Sequence, residues 1–308
     1  MATIGNILNL VQCGALGVLG TGKKGCIQQL RKTNSLWITP DGFEFDNAET
    51  LGSTYIQELK ASGNLIILND VKTFTDNSSD NQIETLEDGT KTVNTLGLYE
   101  FAAKFIKGLA FNAALNSLNS YGSWNILFVD AEGNILGTKS ASGKLKGFSV
   151  GMLQADRLMF GTDNSSQKEG VAFQLTKRYE MDSDYVFVSE TELGTYRPQA
   201  EDGVYEVVLA YTAVPTDTDT TISVSAKLFQ NQKPFTGAVT GNFRITKNGA
   251  TLAQTVAETN GTYVFTVSAL AEDDVLTVNM YNSTYSSNAA LVDLDVYKSN
   301  TITTTVLA

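Results

Sequence analysis

The sequence predicts a mainly β protein of two domains, and three observations carry that expectation. Only 18% of the 308 residues are charged and Pro is scarce at 4, while Thr, Val, Tyr and Phe are frequent. That mixture favours pleated, half-buried surfaces over helical bundles or disorder. Apolar and polar residues alternate with a period of two in several short runs, the mark of strands with one buried face. A helical period is convincing only once, over residues 109–119.

The elements follow in chain order. Residues 1–35 are Gly-rich and irregular, with a basic cluster at Lys23, Lys24, Arg31 and Lys32. Residues 4–20 are apolar, but no Lys or Arg leads them and no clean small-x-small site follows, so no secretion signal is expected. Asn6, Asn9 and Gln12 make the same stretch too polar for a membrane span. Residues 36–39 read as a strand stopped by the turn sequence Pro40-Asp41-Gly42. Residues 50–60 fit a short helix or a strand, and the β-branched run 64–74 fits a strand.

Residues 76–91 are polar and hold five carboxylates, Asp76, Asp80, Glu84, Glu87 and Asp88, against Lys91. With the turn pair Asp88-Gly89 they predict a long exposed loop or a hairpin tip. Tyr99, Phe101, Ala103 and Phe105 then alternate with Glu100, Ala102, Lys104 and Ile106, which predicts a half-buried strand. Phe111, Ala114, Leu115 and Leu118 fall at i, i+3, i+4 and i+7, the spacing of one helix face, and Gly122 stops the run. Residues 124–130 and 135–138 flank Ala131-Glu132-Gly133-Asn134 as a hairpin. Residues 144–160 predict one or two strands broken at Asp156-Arg157, and 171–179 and 184–189 predict two more.

These elements divide into a domain over 1–199 with a Gly-rich N-terminal arm, a connecting strand or linker over 200–215, and a second domain over 216–308. The polar run Pro215 to Thr221 reads as the junction. Beyond it, short strands at 222–229, 243–246, 261–268, 275–281 and 291–297 alternate with turns at Lys247-Asn248-Gly249, Asn260-Gly261 and Glu272-Asp273-Asp274. That regular spacing is a sandwich signature.

Charge and composition narrow the chemistry. The net charge of −11 argues against a nucleic-acid groove binder, which must neutralise phosphates. With no His, Ser-His-Asp and Cys-His nucleophiles and His-ligated metals are ruled out. Cys13 and Cys26 match no redox or zinc spacing and are expected as free thiols. Residues 17–24, GVLGTGKK, fit the first seven positions of a phosphate-cradling loop, but Lys24 stands where a Mg²⁺-binding hydroxyl belongs. Gly20-x-Gly22-x-x-Gly25 overlaps it as a dinucleotide-type fingerprint. Asp130 after Ile126-Leu127-Phe128-Val129 resembles the partner acid of such a site. No run of strands and crossover helices supports either, so Asp130 is expected simply as a turn residue.

The five loop carboxylates lack the spacing and central Gly of a calcium loop. Asp217 with Asp219, and Asp273 with Asp274, are equally expected as solvated turn residues. Any two carboxylates can converge into a glycosidase-like pair, and no pair stands out in the sequence. Trp37, Trp124, Tyr205, Tyr211 and Tyr263 sit in strand patterns, where core packing outweighs a carbohydrate platform. No catalytic residue, cofactor or metal is expected.

Two resemblances follow. Residues 218–298 resemble a bacterial Ig-like domain through Ser223-Val224-Ser225-Ala226, Phe243-Arg244-Ile245-Thr246-Lys247-Asn248-Gly249, Gly261-Thr262-Tyr263-Val264-Phe265-Thr266 and Asp274-Val275-Leu276-Thr277-Val278. The first 199 residues are similar, in the order of their elements, to tail tube (major tail) proteins of tailed bacteriophages. The carriers are the acidic loop, the strand Tyr99 to Phe105, the helix at Phe111-Asn112-Ala113-Ala114-Leu115, the strand Trp124 to Asp130, Gly133-Asn134-Ile135-Leu136-Gly137 and Lys146-Gly147-Phe148. The Gly-rich start departs from that pattern.

The resemblance implies an N-terminal β-sandwich or barrel with one packed helix and a C-terminal Ig-like sandwich. It also implies a non-enzymatic virion protein assembled in the bacterial cytoplasm. Its partners would be copies of itself, in rings stacked into a tube, and other virion tail proteins. DNA would be a cargo that does not stick, with no membrane partner. The acidic loop at Asp76, Asp80, Glu84, Glu87 and Asp88 is then the candidate inter-subunit contact. A head decoration or fibre protein, and a surface adhesin built from β-domains, are the competing expectations.

Overall fold

The structure, a computed structural model, describes residues 3–9, 28–283, 288–293 and 295–308. It is mainly β. Its contacts divide the chain into two compact units. One is Met1–Tyr55 with Asn64–Asp202, and the other is Ile56–Gly63 with Gly203–Ala308. Cys13, Cys26 and the 17–24 motif lie outside the described residues. Among the described residues, no helix is long and apolar enough to cross a membrane.

The N-terminal unit opens with α1 (Ile4–Asn9) and β1 (Thr33–Pro40), whose end turns at Asp41-Gly42 with Gly42 at φ 79°. Next in the chain comes α2 (Ser53–Ser62), a helix and not a strand, whose residues from Ile56 onward fall in the second unit. The expected strand over 64–74 divides into β2 (Ile66–Leu68) and β3 (Thr73–Asp76), because Asp70 takes a left-handed φ of 63° between them. Then follow β4 (Gln82–Thr85), β5 (Lys91–Thr95), β6 (Glu100–Phe105), α3 (Leu109–Ser117), β7 (Ser120–Tyr121), β8 (Trp124–Asp130), β9 (Ile135–Lys139), β10 (Leu145–Lys146) and β11 (Phe148–Ala155). The unit closes with β12 (Glu169–Leu175), α4 (Arg178–Asp182) and β13 (Tyr185–Val188). Tyr179, expected at a strand end, belongs to α4.

The main path of the large sheet runs β10-β9-β8-β11-β12-β6-β3, with β1 on β8 and β13 on β9. Four strand spacings separate β8 from β3, about 19 Å in a flat sheet. Yet the rings of Phe128 on β8 and Phe74 on β3 lie 5.9 Å apart, and Phe128 meets Phe101 on β6 at 5.4 Å. The sheet therefore curls over a single core, which Leu36, Ile38, Phe105, Phe148 and Phe173 also fill. The alternation predicted for residues 99–106 appears as buried Phe101, Ala103 and Phe105 on β6.

Helix α3 lays Leu115 and Leu118 against this core, and Phe111 packs edge-on to Phe105 at 5.1 Å. Ala114, expected on the same buried face, is exposed instead. Just past its end the Leu118 carbonyl accepts the Trp124 indole N–H at 2.9 Å. Trp124→Phe should cost about 1 kcal/mol, the worth of one such bond. A urea titration checks this, and an unchanged midpoint would rule the bond out as a contributor.

The C-terminal unit contains β14 (Tyr205–Tyr211), β15 (Thr221–Leu228), β16 (Phe243–Lys247), β17 (Ala250–Thr251), β18 (Thr255–Thr259), β19 (Thr262–Thr266), β20 (Val275–Met280), β21 (Ala289–Val292), β22 (Asp295–Ser299) and β23 (Ile302–Thr305). Six strands pair as β18-β19-β15-β14-β22-β21 and four as β17-β16-β20-β23. Their inner faces share one core, with Phe243 of one sheet 4.9 Å from Tyr263 and 5.1 Å from Phe265 of the other. This is a β-sandwich. Asn248-Gly249 and Asn260-Gly261 turn with both residues at positive φ, as two-residue hairpins require. Ala61, from the helical segment Ile56–Gly63, packs with Ala289 and Val296 of the same unit.

The structure decides two boundary expectations. Of the two readings of 200–215 the strand holds: β14 pairs antiparallel with β15 and parallel with β22, so it belongs to this sandwich rather than linking to it. The polar run at 215–221 is a turn of the same unit rather than a junction. Its polar groups are engaged locally: Asp219 accepts from the Thr216 backbone N–H at 2.7 Å, and Asp217 N–H reaches Leu307 O at 2.7 Å.

Candidate functional site

Between β3 and β6 the chain leaves the sheet. β4 and β5 form a separate two-stranded ribbon with the register Ile83↔Val93, Glu84↔Thr92 and Thr85↔Lys91. Its tip turns at Asp88-Gly89 with Gly89 at φ 84°. The Asp88 carboxylate accepts from Thr90 N–H at 2.8 Å. That hydrogen bond, with a second from the Thr90 side chain, holds the Asp88 carboxyl below its ordinary value. From residue 79 to 98 every residue is exposed except Gly97.

The five sequence-predicted carboxylates therefore separate into two groups. Asp76 and Asp80 line an open groove of about 470 Å³ at the root, together with Asn81, Leu98, Tyr99 and Arg178. Glu84, Glu87 and Asp88 project at the distal part of the ribbon. Asp76 closes a local turn by accepting from Ser78 N–H at 2.9 Å. Among the described residues no group of three or more Cys, Asp or Glu is arranged to hold a metal ion.

The root is fastened by groups that the sequence did not single out. Arg178 on α4 donates through Nε to Asp182 at 2.7 Å, and through Nη1 to Gly97 O at 3.3 Å and to Asn81 Oδ1. Asn81 Oδ1 also accepts from Gly97 N–H at 3.0 Å. Ser79 N–H reaches Leu98 O, and Ser79 Oγ accepts from Leu98 N–H, both at 3.1 Å. The Tyr99 hydroxyl donates to Asp182. Gly97 alone permits this closure, because a Cβ there would overlap the Ser79 carbonyl.

The Tyr99 hydroxyl first, and the Arg178 guanidinium after it, hold the Asp182 carboxyl below its ordinary value of 3.8. A lowered carboxylate contributes stability above that ordinary value and loses it as the pH falls through the folded-state value. The root tether should therefore be intact at neutral pH and release only below about pH 3.8. The Tyr99 ring NMR signal should shift in that window and stay flat in Asp182→Asn. A wild-type signal constant down to pH 2 would contradict it.

Sequence reasoning also read past the ribbon's apolar side chains. Ile83, Leu86, Val93, Leu96 and Leu98 are all exposed large hydrophobics. The available signal was their presence inside an acidic, turn-rich run.

The remaining candidates fall into structural roles. Asp130 is buried and organises the β8–β9 turn by accepting from Glu132, Gly133 and Asn134 N–H at 2.8–2.9 Å. Asp274 caps a turn through Ala271 N–H at 2.8 Å, as Asp219 does through Thr216. Tyr263 is buried in the C-terminal core, Trp37 is fully buried on β1, and Tyr205 stacks on Tyr297 at 5.3 Å.

No family model matches the chain, and no curated protein matches it. Among solved structures, the chain is similar at 10% identity to a mouse coronavirus receptor-binding domain complexed with its murine receptor. That alignment covers 76% of this chain and 100% of the other, with a TM-score of 0.20. A likeness of that size carries no argument about fold or function.

Proposed function

We propose that this protein is a non-enzymatic structural subunit that assembles with copies of itself. The specific form of this reading is a tail tube protein of a tailed bacteriophage, with stacked rings conducting DNA and an Ig-like unit appended. The observation that supports it is the ribbon between β3 and β6. A two-stranded ribbon is marginal by itself in water. This one nonetheless carries five exposed large hydrophobics above a pinned root, and exposure gathered on one small element supports a contact surface.

Charge supports the same reading. A conduit for DNA works best when its subunits repel phosphate, and a chain of net charge −11 does so. Assembly in the host cytoplasm and residence in the virion, alongside other tail proteins, belong to this proposal. Electron microscopy of the purified full chain tests it. Rings or tubes of uniform width are expected. A strictly monomeric species at high concentration under all salt conditions would overturn the reading.

A further inference from the structure

We propose that the ribbon of one subunit docks on the opposite end of β6 in a second copy of this chain. The receiving surface is the 156–168 loop with Lys104, Ile106 and Leu109. This inference rests on the self-assembly reading and names the surface that completes it.

The pairing registers place the two surfaces at opposite ends of one sheet. Asp76↔Phe101 and Gln174↔Glu100 lie at the ribbon end of β6. Thr73↔Lys104 and Glu169↔Phe105 lie at the other, where the 156–168 loop joins β11 to β12. That loop is itself a short hairpin, closed by Met159 N–H to Lys168 O at 3.0 Å and Lys168 N–H to Met159 O at 2.9 Å. About 20 Å of strand separates the two ends.

Exposed apolar surface gathers at these ends. Among the described residues, the large hydrophobics exposed in the N-terminal unit are the five on the ribbon, Ile106, Leu109, Met159 and Phe160 at the far end, and Tyr121 and Tyr179. Phe160 is 76% exposed and Ile83 62% exposed, values that a lone folded chain gains nothing from.

Charge distinguishes the two ends. The ribbon beyond β3 holds four carboxylates, Asp80, Glu84, Glu87 and Asp88, against Lys91, and Asp76 adds a fifth at its root. The far surface holds Lys104, Arg157 and Lys168 against Asp156 and Asp163. Lys104 reaches Met159 Sδ at 3.5 Å, which places its ammonium beside the apolar patch. Nearby Lys72 and Lys107 are already engaged, with Asp70 at 2.5 Å and with Asn69 respectively. An acidic apolar arm at one end and a more basic apolar surface at the other make a head-to-tail contact. Such heterologous contacts propagate into stacks.

Complementation in the full-length protein tests the assignment. One variant carries Ile83→Asp and Val93→Asp on the ribbon, and the other carries Met159→Asp and Phe160→Asp on the loop. Each alone should need at least a tenfold higher concentration to stack. Mixed in equal amounts they retain one intact junction, so they should pair across it and grow no further, as seen by sedimentation and electron microscopy. As a second arm, Glu84→Lys should weaken stacking and Lys168→Glu in the same chain should recover part of it.

If the loop variant stacks like the wild type, the receiving surface is wrong while self-assembly stands. If the mixture forms no pairs although the wild type stacks, the assignment is equally overturned. A wild-type chain that never assembles would remove both.

Discussion

Asp130→Ala is expected to cost the N-terminal unit about 3–4 kcal/mol, through two buried donors left unpaired and three further hydrogen bonds lost. The carboxylate is fully buried where β8 turns toward β9. Oδ1 accepts from the N–H groups of Glu132, Gly133 and Asn134, and Oδ2 accepts from Arg31 N–H at 3.0 Å and Asn134 Nδ2 at 2.8 Å. Asn134 then passes the order on, its Oδ1 accepting from Glu190 N–H at 3.0 Å. Alanine leaves the buried Asn134 N–H and Nδ2 without this partner, while Gly133 N–H keeps the Asp130 carbonyl at 3.2 Å.

Asn at this position keeps one oxygen for the turn amides but faces the Arg31 and Asn134 donors with an NH₂ group. Asp130→Asn should therefore cost about half as much. Both tryptophans, Trp37 and Trp124, lie in this unit, so their fluorescence during urea unfolding reads it selectively. An alanine variant within about 1 kcal/mol of the wild type would show that the turn is held elsewhere.

Gly97→Ala should separate assembly from folding. The added Cβ would overlap the Ser79 carbonyl oxygen and come within 2.7 Å of its carbon, both backbone atoms that no rotamer change can move. The root must open, which costs the Gly97–Asn81 and Ser79–Leu98 hydrogen bonds. None of these atoms belongs to the core built on Phe101, Phe128 and Phe173, so the thermal transition should barely move.

Ribbon amides should lose protection from hydrogen exchange. The concentration needed for assembly should rise about tenfold or more, equivalent to roughly 1.4 kcal/mol per junction. Gly97→Ala protein that assembles at the wild-type concentration would show that ribbon closure does not matter for the contact.

The contrast between these two sites shows what periodicity can reveal. The alternation from Tyr99 to Ile106, the Asp88-Gly89 turn and the Asn-Gly turns of the second unit are local, and each appears in the structure. Their signals depend on neighbours two to four residues away, which a single sequence displays directly. The main stretch of the second unit begins at Gly203 rather than at 216, for a related reason. Polar residues at 215–221 look alike whether they bind water or close a turn onto Leu270 and Leu307.

Composition and local pattern alone establish a β-rich chain of two units with an acidic excursion between two strands of the first. Tertiary structure decides the rest. Arg178 reaches Gly97 across 81 residues, and Tyr99 reaches Asp182 across 83. Such pairings fasten the ribbon, and the curl of the sheet buries Phe74 against Phe128. The two apolar surfaces lie at opposite ends of β6 only because β3, β6, β11 and β12 pair in their particular registers. Register fixes which end of a sheet each loop occupies, and it is set by contacts between residues far apart in the chain.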